Sequence, residues 1–194
     1  MYLLFYLFLY FINFNMYSQE KNYFYEIKKF DENYSKKAIV SRFVHSVGFR
    51  YYWATQGLRS EDLNFKPSDS GINTRETLEH IYGLSIMIHN GFHNKEIKRS
   101  RSYPDLSYDD LRKGTLDFLE NTVILLEDYS EDDFENSKVI FGEQKYDIFN
   151  LFHGPISDAL YHIGQVVSYR RSSGNPIPKG VNHFKGIYTG KPRE

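Results

Sequence analysis

Four stretches of the chain repeat apolar residues at intervals of three and four positions, which predicts four amphipathic helices. Between them the pattern breaks where proline, glycine and charged residues accumulate. The last stretch contains the pair Gly154-Pro155, which predicts either a kink or a division of that helix. The predicted helices cover residues 37–57, 73–90, 108–129 and 147–172.

Local signals place several of the predicted helix ends. Asn73 can cap the second helix while Glu76, three residues later, reaches back to it. Ser107 can cap the third helix. Gly57 lies near the end of the first helix, and Gly91 is expected to stop the second.

Long connections separate the first predicted helix from the second and the third from the fourth. The later connection, residues 130–146, is acidic and then extended at Val139-Ile140-Phe141, which indicates a crossover that packs on the helices. The sequence shows no alternation of strands and helices of the kind that builds a parallel sheet. It therefore predicts an all-α protein, an up-down four-helix bundle with long connections.

The two ends of the chain depart from the bundle pattern. Met1–Phe14 is almost continuously apolar and shorter than the roughly 20 residues of a membrane span, which favours a signal peptide over residues 1–18 with cleavage after Ser18. The protein would then be exported, periplasmic or extracellular, with no stable membrane span. The alternatives are an uncleaved anchor, or translation from Met16 and a cytoplasmic protein. The remaining divisions are an extended lead-in over 19–36, the bundle over 37–178 and a C-terminal tail over 179–194.

The amino-acid composition restricts the kinds of functional site and the partners that this protein can have. The 194 residues suit one domain and include no cysteine, which excludes disulfides, iron–sulfur clusters and thiol nucleophiles. Any bound metal must therefore be held by nitrogen and oxygen. With 24 Lys and Arg against 25 Asp and Glu, the charge balance favours neither a nucleic-acid partner nor an anionic membrane surface. The motifs of serine hydrolases, zincins and nucleotide-binding loops are absent, so an enzymatic function would rest on a metal.

Three side chains could form such a metal site. Asp158 and His162 are one helical turn apart, so a carboxylate oxygen and a ring nitrogen share one face of the last helix. His80 lies on the inner flank of the second helix, and bundles build metal sites from facing helices. In the alternative interpretation, His80 is a hydrogen-bonded residue at the edge of the core, and Asp158 with His162 is an ordinary helix-stabilising pair.

At these positions the chain resembles a known family. The matching residues are Trp53, the segment Thr77-Leu78-Glu79-His80-Ile81, and Tyr161-His162-Ile163-Gly164-Gln165 followed by Arg170 and Gly174. They are similar to those of the DinB-like superfamily of damage-inducible, metal-binding four-helix bundles. The resemblance covers residues 37–178.

The resemblance implies a ligand set. Family members bind a divalent metal such as zinc or nickel through one histidine on the second helix and two on the last, which correspond here to His80, Asp158 and His162. The first position of the last-helix pair is thus Asp158 rather than histidine. Two imidazoles and one carboxylate form a facial set with open positions, and this set extends the candidate metals to iron(II) and manganese.

Three further residues could border the site. Gln165 follows Asp158 by seven residues on the same stripe and could orient a ligand through hydrogen bonds. His45 on the first helix could line the pocket, although a solvent-facing or half-buried position is the simpler expectation. Arg170 in the last turn suits the helix dipole and could alternatively clamp an anionic substrate.

The predicted function is that of a metal-dependent enzyme, of hydrolase or thiol-transferase type, acting on a small molecule. The competing hypothesis is a non-catalytic bundle that stores or senses metal or serves as a structural module. An enzyme needs an open coordination position, whereas a structural site would be closed by a fourth ligand such as His45 or Tyr161. The sequence leaves the oligomeric state open: bundles of this kind commonly pair through helix faces as homodimers, and the crossover over 130–146 could supply an edge.

Overall fold

The computed structural model describes residues 22–28, 34–98, 100 and 102–190, so the proposed signal peptide lies outside the described residues. The chain is mostly helical, which confirms the predicted all-α class. The helices are α1 (Lys36–Thr55), α2 (Ser60–Leu63), α3 (Thr74–Phe92), α4 (Tyr108–Glu127), α5 (Glu131–Asn136) and α6 (Ser157–Ser172). The strands are β1 (Lys138–Phe141), β2 (Gln144–Asp147), β3 (Val181–Asn182) and β4 (Ile187–Tyr188).

The four long helices form the bundle. Both α1 and α3 pack against α4 and against α6, so the four helices enclose one apolar core. Aliphatic side chains from every long helix are fully buried there, which is the main source of stability in a bundle. Among the described residues, no helix combines the length and the apolar character that crossing a bilayer demands.

Two predicted N-terminal caps are present. The Asn73 side chain accepts the Glu76 N–H at 2.8 Å, and the Glu76 carboxylate accepts the Asn73 N–H at 2.7 Å. Ser107 caps α4 in the same manner, with Asp110 as its reciprocal partner. These capping boxes satisfy backbone donors that would otherwise lack partners at the start of each helix.

The predicted stop at Gly91 is wrong, because α3 continues through this residue to Phe92. A Cβ atom at Gly91 would lie 2.7 Å from the Leu151 side chain, so the glycine permits close packing between α3 and the segment before α6. The left-handed residue that follows the helix is Asn94, with φ of 53°. Gly91 therefore serves a tertiary contact and not a helix end.

The connection between α4 and α6 contains more structure than the pattern predicted. The extended conformation at Val139-Ile140-Phe141 is confirmed as part of β1, which pairs antiparallel with β2. On its other side β1 forms a parallel bridge between Ile140 and Glu96. The short helices α2 and α5 were not predicted, because four to six residues carry too little periodicity.

The last helix starts later than predicted, because Asp147 ends β2 and the kink at Gly154-Pro155 separates the residues before it from α6. A π-helical turn, Phe152–Ile156, then leads into α6, with Gly154 outside helical geometry at φ −89° and ψ −112°. The predicted kink at Gly154-Pro155 is therefore confirmed. Pro155 has no N–H to donate, and the Ser157 hydroxyl donates to the Phe152 carbonyl at 2.6 Å within the distorted turn.

All four terminal carbonyls of α1, residues 52–55, have hydrogen-bond partners. The Gln56 N–H donates to the first. The guanidinium of Arg170 in α6 donates to the second and third, at 3.1 and 2.9 Å. The Tyr108 hydroxyl donates to the fourth. Groups from α4 and α6 thus complete the end of α1, where a helix cannot satisfy its own acceptors.

A buried carboxylate extends this junction. Asp62 is fully buried and accepts hydrogen bonds from Arg59, from the Ser173 hydroxyl at 2.5 Å and from the Asn175 amide at 2.6 Å. The Asn175 carbonyl in turn accepts from Arg170 Nε at 2.6 Å. Burial alone would raise the pKa of Asp62, but these hydrogen bonds outweigh it and hold the pKa well below its usual range.

The described parts of the two chain ends pack together on α1. Phe24 is fully buried against Gly48, where a Cβ atom would collide with the Phe24 ring. The Trp53 indole donates to the Tyr25 carbonyl at 3.1 Å and stacks on Tyr188 of β4 with ring centroids 4.5 Å apart. The lead-in and the C-terminal hairpin β3–β4 therefore cover one side of the bundle.

Replacement of Asp62 by Asn should lower the free energy of unfolding at neutral pH by about 2 kcal/mol, because the new amide NH2 would face other donors, such as the Asn175 amide, in a fully buried position. The stability that a carboxylate with a depressed pKa supplies is present above its unfolded pKa, about 3.9, and is lost as pH falls below that value. The difference between the wild-type protein and Asp62→Asn should therefore shrink below pH 4. Urea unfolding at pH 7 and at pH 3 measures this difference in the free energy of unfolding. An equal difference at both pH values would contradict a depressed pKa for Asp62.

Replacement of Gly91 by Ala should destabilise the protein by about 1–2 kcal/mol, because the clash with Leu151 exceeds the gain in helix propensity. Gly164 in α6 is the matched control, since a Cβ atom there has no neighbour within 4 Å. Gly164→Ala should stabilise by about 0.5–1 kcal/mol. Urea unfolding of both variants checks the signs, and equal stabilisation by both would refute the packing role of Gly91.

Candidate metal centre

His80 of α3 and the pair Asp158 and His162 of α6 converge at one point. His80 Nε2 lies 3.1 Å from Asp158 Oδ2, and His162 Nε2 lies 3.2 Å from Asp158 Oδ1. One possible ligand atom from each side chain lies within 4.8 Å of the other two. The structure thus brings together the three residues that the sequence singled out.

Helix packing and the π-helical turn create this convergence. α3 packs along α6, which places the His80 ring edge-on to the His162 ring at a centroid distance of 4.5 Å. Asp158 stands in the first turn of α6, directly after the Gly154-Pro155 kink, and one turn before His162. The helix dipole favours a negative charge at this end of α6. The Gly154-Pro155 pair was the sequence signal for this kink.

Gln165 fixes the orientation of His162. The Gln165 side-chain carbonyl accepts a hydrogen bond from His162 Nδ1 at 2.7 Å. If Nδ1 donates to this amide oxygen, a neutral ring presents its lone pair at Nε2. The ring nitrogen available for a metal is therefore the one that faces Asp158.

The donor set fits a divalent cation. A carboxylate only accepts hydrogen bonds, so the lone pairs of His162 Nε2 and Asp158 Oδ1 would repel at 3.2 Å. A proton or a metal ion between them removes that repulsion. Ligand atoms bound at about 2.0–2.2 Å from one ion are separated by roughly 3–3.5 Å, and both measured separations fall in this range.

One side of the cluster faces solvent. The side chains of His80 and Asp158 are 41% and 42% exposed, whereas His162 is 14% exposed. Over the part of the chain that the structure describes, no fourth His, Asp or Glu joins the group. Tyr161, considered as a closing ligand, is 65% exposed, and its ring lies edge-on to His162 at 5.1 Å. The arrangement can therefore offer open coordination positions.

His45 lies elsewhere, beneath the lead-in. Its ring is fully buried, stacks on Tyr23 at 5.1 Å and meets Phe24 edge-on at the same distance. Burial lowers the pKa of His45 to about 4. The expectation of a solvent-facing or half-buried side chain was wrong, because the sequence gives no local sign that residues 22–28 fold back over α1.

Arg170 is also buried and binds protein carbonyls. Its guanidinium joins the end of α1 to Asn175, as described above, and none of its surface is exposed. The sequence predicted an interaction of Arg170 with the helix dipole and did not predict that it joins α6 to the end of α1. The contacts made by Arg170 are structural, and they contribute to the geometry of the site by fixing the C-terminal end of α6.

No family model matches the sequence, and no curated protein matches it. A search of solved structures finds a DinB-like protein from Bacillus subtilis, known from a crystal structure at 2.30 Å resolution. The superposition has a TM-score of 0.54 at 17% sequence identity and covers 72% of this chain and 95% of the other. The chain therefore has a DinB-like fold, as the resemblance implied.

The Gln165 contact predicts that His162 is the Nδ1–H tautomer. Two-dimensional 1H–15N spectra that resolve histidine ring nitrogens should show a protonated Nδ1 for His162, and Gln165→Leu should remove this preference. His93 is an internal control, because its Nδ1 donates to the His89 carbonyl at 2.8 Å and should not respond. An Nε2–H tautomer at His162 in the wild-type protein would reverse the inferred polarity of the contact.

Proposed function

We propose that this DinB-like bundle binds one divalent metal ion through Nε2 of His80, Nε2 of His162 and the carboxylate of Asp158. The observation that carries the proposal is that both imidazoles aim the same kind of nitrogen at one carboxylate, at 3.1 and 3.2 Å. An ordinary helix-stabilising pair would account for Asp158 and His162 but not for a third group from α3. The hydrogen bond from His162 to Gln165 supports the same assignment, since ligating histidines usually donate their second N–H.

The ligand types restrict the metal. Two imidazole nitrogens and one carboxylate oxygen suit zinc, nickel, iron(II) or manganese, and the absence of cysteine removes the thiolate ligands that favour copper(I). Zinc would favour four-coordinate geometry with one open position. Iron(II), nickel and manganese would leave more positions open to solvent or substrate.

We further propose that the centre is catalytic, of hydrolase or thiol-transferase type, with a small molecule as substrate. The exposure of His80 and Asp158 favours this function over closed structural binding, because a reacting molecule needs access to the ion. A bound ion would supply Lewis acidity toward a water, a thiol or a substrate oxygen. Asp158 would balance its charge, and Gln165 would hold His162 in the productive orientation.

Export is part of the proposal. An apolar stretch at residues 1–14 followed by Ser18 supports a signal peptide, which would place the metal centre outside the cytoplasm. Expression of the full chain with N-terminal sequencing of the secreted protein tests this point. A mature protein that begins at Gln19 is expected, whereas retention of Met1 in the cytoplasm would contradict export.

Elemental analysis of protein purified without nickel affinity resin or chelator tests the metal centre. The wild-type protein should carry about one metal ion per chain, and His162→Ala should lose it, with affinity falling more than about 100-fold. His153→Ala is the matched control, because this exposed histidine precedes α6 and is not part of the cluster. It should retain the metal.

Two outcomes separate the functional classes. Metal in the wild-type protein but not in His162→Ala, together with turnover in a screen of thiol-transfer and hydrolysis substrates, supports a metalloenzyme. If metal binds and no substrate turns over, a storage or sensing role replaces the enzymatic one. Absence of metal after incubation with zinc, nickel, iron(II) and manganese would overturn the site itself.

A further inference from the structure

Tyr161 is the one large hydrophobic side chain that α6 leaves exposed to solvent, with 65% of its surface accessible. The other exposed positions of this helix hold small or charged residues: Ser157, Gly164, Ser168, Arg171 and Ser172. This pattern is typical of the outer face of an amphipathic helix, and Tyr161 departs from it. Burial in the core therefore does not account for an aromatic residue at this position.

Tyr161 lies beside the candidate metal centre. It follows Asp158 by three residues, so the two side chains are neighbours on the surface of α6. Side chains of a helix lean toward its N-terminal end, which favours contact of residue 161 with the turn that carries Asp158. The Tyr161 ring also meets the His162 ring edge-on, with the centroids 5.1 Å apart. Tyr161 therefore borders two of the three candidate ligands.

The ring stands on the side of the cluster that solvent reaches. The side chains of His80 and Asp158 are about two-fifths exposed, whereas the His162 side chain is 14% exposed. Open coordination positions of a bound ion would accordingly face outward, on the side where Asp158 and Tyr161 are accessible. A molecule that approaches the ion from solvent would pass next to the Tyr161 ring.

Small residues flank Tyr161 along α6. Ser157 precedes it by about one turn, and Gly164 follows it by nearly one turn. A Cβ atom at Gly164 would have no neighbour within 4 Å, so the surface next to the ring is open. Neither flanking residue is large enough to cover the ring, which leaves it free to contact another molecule.

We propose that the substrate of the metal centre carries an aromatic or similarly flat apolar group that packs on Tyr161, while an anionic donor group of the same molecule binds the ion. This inference rests on the proposed metal centre. Two aromatic rings attract each other in offset-stacked and edge-to-face arrangements, with centroids about 4.5–7 Å apart. Tyr161 would thus be a substrate contact that selects molecules by their shape.

The charge of the ligand set favours an anionic donor. Histidine binds metals as the neutral imidazole, so Asp158 is the one negatively charged ligand of a doubly charged cation. The centre would therefore keep a net positive charge, which is the largest local charge that an approaching molecule meets. A carboxylate, a hydroxamate or a thiolate would balance it better than a neutral group.

Calorimetric titration of the zinc-loaded protein with benzohydroxamate and with acetohydroxamate tests the aromatic contact. The two probes bind metals through the same group, and the first also carries a ring. Benzohydroxamate should bind about tenfold more tightly, as expected for packing of one ring. Tyr161→Ala should lower this ratio to about one, whereas Tyr161→Phe should preserve it. Phe184→Ala is the matched control, since this aromatic side chain is 98% exposed and is not part of the cluster. It should leave the ratio unchanged.

Benzoate and benzamide test the anionic donor, because they have nearly the same shape and differ in charge. Benzoate should bind at least about tenfold more tightly than benzamide, in the wild-type protein and in Tyr161→Ala alike. Equal binding of the two would overturn the requirement for an anion.

Zinc content is measured before each titration, which separates this proposal from the metal centre itself. A wild-type protein that binds no metal would overturn both. Bound zinc with equal affinity for the two hydroxamates, or a tenfold ratio that persists in Tyr161→Ala, would overturn the aromatic contact alone. Loss of the ratio in Tyr161→Phe would assign the contact to the hydroxyl group and would also overturn packing on the ring.

Discussion

The buried guanidinium of Arg170 is the contact on which the arrangement of the bundle depends. A charge without access to water must be matched by nearby acceptors, and Arg170 finds them in the last carbonyls of α1 and in Asn175. Those carbonyls need outside donors as much as the arginine needs acceptors. The two requirements are met in one relative position of α1 and α6, and Asp62 holds Asn175 in place beneath them.

The geometry of the candidate metal centre is a consequence of that position. With its C-terminal end attached to α1, α6 runs along α3, and the π-helical turn sets the start of the helix where Asp158 faces His80. The candidate ligands themselves contribute little to helix packing, since two of them are about two-fifths exposed. The bundle therefore holds the cluster in place, and the cluster remains available for binding.

Short-range patterns in the sequence were sufficient to predict part of this structure. The Asn73 cap, the kink at Gly154-Pro155 and the shared face of Asp158 and His162 depend on neighbours within a few residues, and each can be inferred from spacing. Convergence of His80 with that pair, 78 residues away, was inferred from the family resemblance and from how bundles build sites.

What the sequence could not indicate depends on contacts between distant segments. Gly91 resembles a helix stop until Leu151 is seen against it, and His45 resembles a surface residue until the lead-in covers it. Arg170 lies in the last turn of α6, where a cation stabilises the helix dipole whether its side chain is exposed or buried, so its position in the sequence does not reveal its burial. In each case the decisive neighbour lies more than twenty residues away, so no local pattern specifies it.

The packing of residues 22–28 and of the β3–β4 hairpin on α1 has a practical consequence. Trp53 is the only tryptophan in the chain, and it contacts the lead-in through Tyr25 and the C-terminal hairpin through Tyr188. Its fluorescence emission therefore reports whether either end has separated from the bundle. Far-ultraviolet circular dichroism follows the helices instead, so the two signals together distinguish fraying of the ends from loss of the core.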